Sequence, residues 1–276
     1  MKNDQKKKIS KQNFKLKKRI VMNLIKKSVA LIATILVYFL PQANAQSISK
    51  GVKNIVLVHG AFADGSSWGK IISRLQAKGY NVIAVQNPLT SLANDVAATK
   101  RAIAQMDGPV LLVAHSYGGM VITEAGNDPK VVGLLYVAAL VPEKGQNANA
   151  VNAMMPTTGI EKTFQISADG FVSLPAKTVD EFFAPDASRD ERKLIHATQV
   201  PLAASAVEEK VQSPAWETKR SWYIVAAHDR VISPDLERYK SKLIKATTIE
   251  LNSSHVPMIS QPDKVTAFIV NAAQAL

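Results

Sequence analysis

The chain has 276 residues, no cysteine, 34 Lys and Arg against 22 Asp and Glu, and a formal net charge of +12. That balance would suggest a polyanionic partner if it were spread over a folded body. Residues 1–45, however, hold eleven of the basic side chains and one acid, Asp4, so the remainder is nearly neutral and a charge-driven nucleic-acid-binding role is excluded.

The basic head runs into Ser28–Leu40, a 13-residue apolar stretch ended by Pro41 and followed by Ala43-Asn44-Ala45. A basic segment, a short apolar segment and a small-x-small site describe a secretory signal peptide, cleaved after Ala45. The apolar stretch is shorter than the roughly 17–25 residues that span a bilayer. The expectation is export, periplasmic or secreted, with no stable membrane anchor after cleavage. Met22 offers a second start that leaves a signal of ordinary length. Residues 46–276 suit one α/β domain.

In that body, Asn54–Val58 (NIVLV) reads as a buried strand ending in a loop of small residues, His59 to Gly65. Trp68, Ile71, Ile72 and Leu75 have helical spacing, stopped by Gly79. Asn81–Val85 is a second strand, and Leu92–Met106 is a helix with Leu92, Val96 and Ile103 on one face. Val110–Val113 is a run of apolar residues suited to a strand buried on both faces. It ends in Ala114-His115-Ser116-Tyr117-Gly118-Gly119, a small-x-Ser-x-Gly turn that raises a serine between strand and helix. Ala stands where Gly is usual, which is tolerated if that position does not need positive φ. Val131–Leu140 is the next buried strand. Alternating strands and helices build a parallel sheet with helices on both faces.

The rhythm breaks at about Val141. From Pro142 to about Ser213 no strand is expected, only turns, a Met pair (Met154, Met155), scattered aromatics and short helices near Val179–Phe183, Arg189–Thr198 and Ala203–Val211. This segment, about 142–213, reads as a helical lid over the strand ends, with Phe62, Met154, Met155, Phe182 and Phe183 as candidates for an apolar substrate pocket. Phe164 has the same character. Rhythm returns with Trp222–Ala226, which leads to His228-Asp229. Ser233 and Pro234 open a helix as N-cap and N1. Thr247–Leu251 is the last strand, followed by Ser253-Ser254-His255 and a terminal helix from Pro262.

A serine is a poor nucleophile without a base. Ser116, Asp229 and His255 follow three strands in the chain order Ser, acid, His. His255 takes the Ser116 proton and Asp229 orients the imidazole and stabilises its charged form. Glu143 is the alternative acid. Oxyanion donors are the backbone N–H groups of Tyr117 and of Ala61. His59 braces the Ala61 loop, while His115, His196 and His228 are assigned no part in the chemistry. With no cysteine, no His pair at metal-ligand spacing and no phosphate-binding glycine loop, no cofactor or metal is implied.

The stretches Val56–Trp68, Val113–Gly119, the Asp229 loop and Ser254–Pro262 resemble the α/β-hydrolase superfamily, in the branch of plant methylesterases and hydroxynitrile lyases in a bacterial exported form. The resemblance covers about residues 52–276 and implies the Ser116–Asp229–His255 triad with Ala61 and Tyr117 as oxyanion donors. Lyases of this branch carry threonine after the first-loop histidine and lysine after the catalytic histidine; here those positions are Gly60 and Val256. Ser116 argues against families with an Asp nucleophile. A serine carboxylesterase acting on a small-molecule ester is the leading expectation. The alternatives are a hydrolase-fold binding protein, or a lactonase, thioesterase or lyase on the same triad.

Overall fold

A single six-stranded sheet organises the molecule, and the length of its uninterrupted apolar runs explains why. In this computed structural model, residues 51–276 and Met22 are described. The proposed signal peptide and its Ala45 site lie outside them. Strands β1 (Asn54–Val58), β2 (Asn81–Ala84), β3 (Val110–Ser116), β4 (Val131–Ala139), β8 (Arg220–Ala226) and β9 (Thr247–Leu251) lie in the order β2-β1-β3-β4-β8-β9. Every pairing between them is parallel. All residues of β1 and β3 are buried, as expected of central strands covered on both faces. The edge strands β2 and β9 are half-exposed.

Helix α1 (Gly69–Gln76) links β1 to β2 in one direction across the sheet. Helices α2 (Leu92–Ala104) and α3 (Gly118–Ala125) link successive strands in the other. Right-handed crossovers put helices that run in opposite directions on opposite faces. The packing agrees: α2 lies on α3, and the terminal helix, Pro262–Gln274, returns to α1. The strand order reverses between β1 and β3, so the crevice for a ligand opens beyond their C-terminal ends.

Local chemistry sets the helix ends. Ser91 caps α2 by accepting from Asn94 N–H at 3.0 Å, and the chain leaves α1 through Gly79 at φ +77°. Ser233 precedes the Pro234–Leu243 helix, but its side chain makes no capping bond; Pro234 at N1 alone marks that start.

The 142–213 segment differs from the expectation of no strand. It contains three short antiparallel strands, β5 (Gln165–Ile166), β6 (Phe171–Ser173) and β7 (Leu202–Ala203). Two or three residues are too few for an alternating pattern, and both residues of β5 are exposed, so no apolar signal marks them. Beside them lie helix α4 (Ala148–Asn152), a 3₁₀ turn at Ile160–Thr163, a helical turn at Ala176–Thr178 that runs into a π-helical turn at Val179–Phe183, and α5 (Arg189–Thr198). Ser188 and Glu191 form a reciprocal capping box at the start of α5. The expected helix at Ala203–Val211 is only a 3₁₀ turn, Ala204–Glu208.

Candidate active site

Ser116 ends β3 with φ +55°, a left-handed conformation that a non-glycine residue holds only when its surroundings fix it. Those surroundings are close. A Cβ on Gly118 would come within 2.9 Å of the Val58 and His59 carbonyls, and one on Gly119 would strike the Leu140 carbonyl. Only glycines let the turn approach β1 and β4 so nearly. Ala114 is buried and lies outside the left-handed region, so its methyl group is accommodated without strain.

The structure brings Ser116, His255 and Asp229 together. His255 Nε2 is 2.8 Å from Ser116 Oγ, and Nδ1 is 2.5 Å from Asp229 Oδ2. His255 and Asp229 are buried, and Ser116 is 7 % exposed, enough to face a ligand. Asp229 Oδ1 accepts the N–H groups of Val231 at 2.6 Å and Ile232 at 2.9 Å, which fixes the carboxylate plane. Such a chain can pass a proton from the serine to the imidazole while the carboxylate balances the charge. Glu143, the other acid considered, is engaged elsewhere: Lys240 Nζ, almost fully buried, donates to its Oε1 at 2.9 Å.

Two of the remaining histidines support the frame. His59 Nδ1–H donates to Gly60 O at 2.8 Å and Nε2 accepts from Asn87 N–H at 2.9 Å, so the ring braces the loop carrying Ala61. Burial holds His59 below the usual imidazole range. His115 donates from Nε2 to the His255 carbonyl at 2.8 Å. Burial, followed by the nearby His255, keeps His115 neutral well below the usual range. His196 and His228 are exposed.

Ala61 and Tyr117 line the same cavity as Ser116, and Tyr117 stands at the N-terminus of α3. The Tyr117 hydroxyl donates to Asp95 Oδ2 at 3.1 Å, and Asp95 Oδ1 accepts Leu89 N–H at 2.8 Å. Burial pushes the Asp95 carboxyl up to about 6 and the Tyr117 phenol well above the usual phenolic range. Asp95 was legible only as an acid three residues after Leu92, on the helix's apolar side.

The cavity holds about 440 Å³ and is lined mainly by apolar groups from both the sheet ends and the 142–213 segment. Phe62 and Met155 line it, as do Phe164, Leu140, Ile160 and Leu236. Phe62 and Phe164 meet with ring centroids 5.6 Å apart. Three expected members lie outside this cavity. Met154 is exposed and touches Gln146. Phe182 lies under the Arg230 guanidinium, 4.6 Å from its ring centre. Phe183 packs behind the site, its centroid 5.2 Å from that of His255. Adjacent aromatics on a π-turn face different ways, which composition does not reveal. Asp186 was also missed; it accepts Ser254 N–H at 2.8 Å and so ties the 142–213 segment to the His255 loop. Among the described residues, no group of three or more His, Asp or Glu side chains could hold a metal ion.

A family model described as "Alpha/beta hydrolase family" matches residues 55–268. The chain belongs to that family. "Probable hydrolase R7" of Phoma sp. is 27% identical over 245 residues, which is 79% of this chain and 97% of the relative. "Methylesterase 7" of Arabidopsis thaliana is 32% identical over 108 residues, 33% of this chain and 41% of the relative. The crystal structure of polyneuridine aldehyde esterase superposes with a TM-score of 0.70 at 19% identity, covering 80% of this chain and 99% of that one. The chain shares its α/β-hydrolase fold with these proteins.

Proposed function

We propose that the protein is a serine carboxylesterase that cleaves a small, neutral, largely apolar carboxylic ester through an acyl-enzyme on Ser116. The observation that carries this reading is the single hydrogen-bonded chain from Ser116 Oγ through His255 to Asp229 at the floor of the apolar cavity. His255 removes the Ser116 proton as Oγ attacks the ester carbonyl, and the backbone N–H groups of Ala61 and Tyr117 receive the oxyanion. The protonated imidazole then gives its proton to the departing alcohol. Water, activated by the same imidazole, releases the acid and restores the serine. Removing one oxyanion donor from such a site typically costs on the order of 10²–10³ in kcat.

The cavity wall supports the substrate class. Among the described residues its single charged side chain is Glu161, so none of them pairs with an anionic substrate. Esterase is favoured over lyase because a Cβ on Gly60 would come within 2.6 Å of Ser116 Cβ, leaving no room for a threonine, and Val256 supplies no cation. The 142–213 segment acts as the lid that sets substrate shape. The basic, apolar and Ala-Asn-Ala sequence of residues 1–45 supports export with cleavage after Ala45, which N-terminal sequencing of the protein from culture checks.

The test is turnover of a panel of short and medium neutral methyl and aryl esters, beside monoesters carrying a free carboxylate. Turnover of neutral esters that Ser116→Ala abolishes is expected, with the anionic monoesters poorer. Folded parent protein that binds esters without hydrolysing them would instead favour the binding-protein reading.

A further inference from the structure

Beneath the Asp229 loop lies a second buried acid that the chemistry above does not use. Glu237 sits in the first turns of the Pro234–Leu243 helix and is fully buried. Its Oε2 accepts the N–H of Ala226, the last residue of β8, at 2.9 Å. Its Oε1 is also buried and has no partner among the described donors. An orphaned carboxylate oxygen in an apolar interior is costly, so its protonation state has to be asked.

Ala226 links Glu237 to the triad acid: Glu237 accepts the Ala226 N–H, Asp229 N–H donates to the Ala226 carbonyl at 3.1 Å, and the Asp229 carboxylate is the charged neighbour that the Glu237 carboxyl meets. Both Asp229 oxygens already accept: Oδ1 from two backbone N–H groups and Oδ2 from His255. Two buried carboxylates in contact cannot both carry charge. Three N–H donors make Asp229 the natural holder of the negative charge. Glu237 receives only one. Burial, then the Asp229 charge, hold the Glu237 carboxyl well above the usual range, with Ala226 N–H and Arg238 pulling weakly the other way. The other titratable group facing it, Tyr223 on β8, donates its hydroxyl to Ala139 O and offers Glu237 nothing.

We propose that Glu237 is a positioning residue, present as the neutral acid, whose Oε1–H donates a hydrogen bond to Asp229 and so holds the carboxylate against which His255 is oriented. The inference rests on the Ser116–His255–Asp229 reading. One proton satisfies both the orphaned oxygen and a free lone pair of Asp229. It also ties β8 to the following helix directly under the acid of the triad. When Glu237 loses that proton at alkaline pH, donor becomes repellent charge, and the orientation of Asp229 and His255 is lost.

The test compares Glu237→Gln and Glu237→Met with the parent and with Ser116→Ala. Three readouts are used: kcat and KM across pH, the low-field proton resonance of His255 Nδ1–H, and the infrared C=O band of a buried protonated carboxyl. Glutamine keeps a donor for Asp229 and an acceptor for Ala226, so Glu237→Gln should keep kcat within about 3-fold and lose the alkaline fall in activity, while the infrared band disappears. Methionine fills the space without a donor. Glu237→Met should lose about 10-fold or more in kcat with KM little changed, and its low-field resonance should shift. Parental kcat and an unmoved resonance in Glu237→Met would overturn the proposal. So would a Glu237→Gln as impaired as Glu237→Met, or a parent without the protonated-carboxyl band. If Glu237→Met does not fold, the Gln variant and the parent's infrared band still decide. Turnover that survives Ser116→Ala would sink the triad reading instead, while the infrared band still reports on Glu237.

Discussion

The strand-end loops and the 142–213 segment both face the cavity, but they are built differently. At the strand ends, each reacting group is held by backbone bonds. Asp229 is fixed by Val231 and Ile232, His255 by the ring of His115, and the Ala61 loop by His59 and Asn87. The segment above is joined to the body by one backbone bond, Ala203 N–H to Leu89 O, and otherwise by scattered side-chain ties. Asp186 holds Ser254, Trp216 Nε1–H donates to Pro142 O at 2.8 Å, and Lys70 pairs with Glu191 in a half-exposed bridge. On the proposed reading the contrast is a division of labour: the sheet ends hold the groups that break the bond, and the 142–213 segment shapes the wall that admits the substrate.

The sharpest way to break that division is to disturb the strand-end frame without touching the cavity wall. Asp229→Asn keeps the shape but gives His255 a neutral partner and the wrong tautomer preference. It should lower kcat by about 10³–10⁴ while leaving KM for a neutral ester within a few-fold, as steady-state kinetics will read.

The converse is to change the wall alone. Phe164→Ala removes the ring that meets Phe62 across the cavity. KM for medium-length esters should rise about 10-fold with kcat little altered, because the lost contact is shared by ground and transition states. An equally large fall in kcat would mean that the segment participates in the chemistry.

A third substitution sits where the two regions meet. Asp95 supports Tyr117 of the strand-end frame and Leu89, whose carbonyl accepts Ala203 N–H of β7 at 2.8 Å. Burial raises its carboxyl from 3.8 to about 6 in the fold. The folded state therefore holds this proton longer than the unfolded chain does. The neutral-acid stabilisation is complete at pH below the unfolded value and is lost as pH rises towards about 6. Asp95→Asn carries no such dependence. Its Tm relative to the parent should climb by on the order of a few degrees between pH 4 and pH 7, measured by thermal unfolding, with kcat lowered no more than about 3-fold.

The smallest effect belongs to the surface tie. Lys70→Met removes a bridge whose partners are 45% and 27% exposed. Its stability cost should be about 0–1 kcal/mol by denaturant titration, shrinking in high salt.

Legibility in the sequence follows the same divide. The sheet was readable because strands buried on both faces are continuous apolar runs; Ser116 ends one and Asp229 follows another, while His255 follows the half-exposed edge strand Thr247–Leu251. Strands β5 to β7 were not readable, since they are too short for a period. Met154 and Phe182 looked like pocket residues by composition, but a side chain's direction on a short turn is set by packing that composition does not carry. Asp95 and Glu237 were passed over because a lone acid on a helix normally faces water. Their only sign was position, Asp95 three residues after Leu92 and Glu237 beside Leu236 and one turn before the buried Lys240 and Ser241. Residues 1–45 are read from sequence alone and, Met22 apart, lie outside the described residues.

The central claim is that Ser116 is the nucleophile of an acyl-transfer site, and labelling with a fluorophosphonate tests it most directly. The account predicts one adduct per chain by intact mass, mapped to the Ser116 peptide, with turnover lost in proportion to labelling and no adduct on Ser116→Ala. A folded protein that hydrolyses esters while remaining unlabelled, or that is labelled elsewhere and keeps its turnover when Ser116 is replaced, would contradict it.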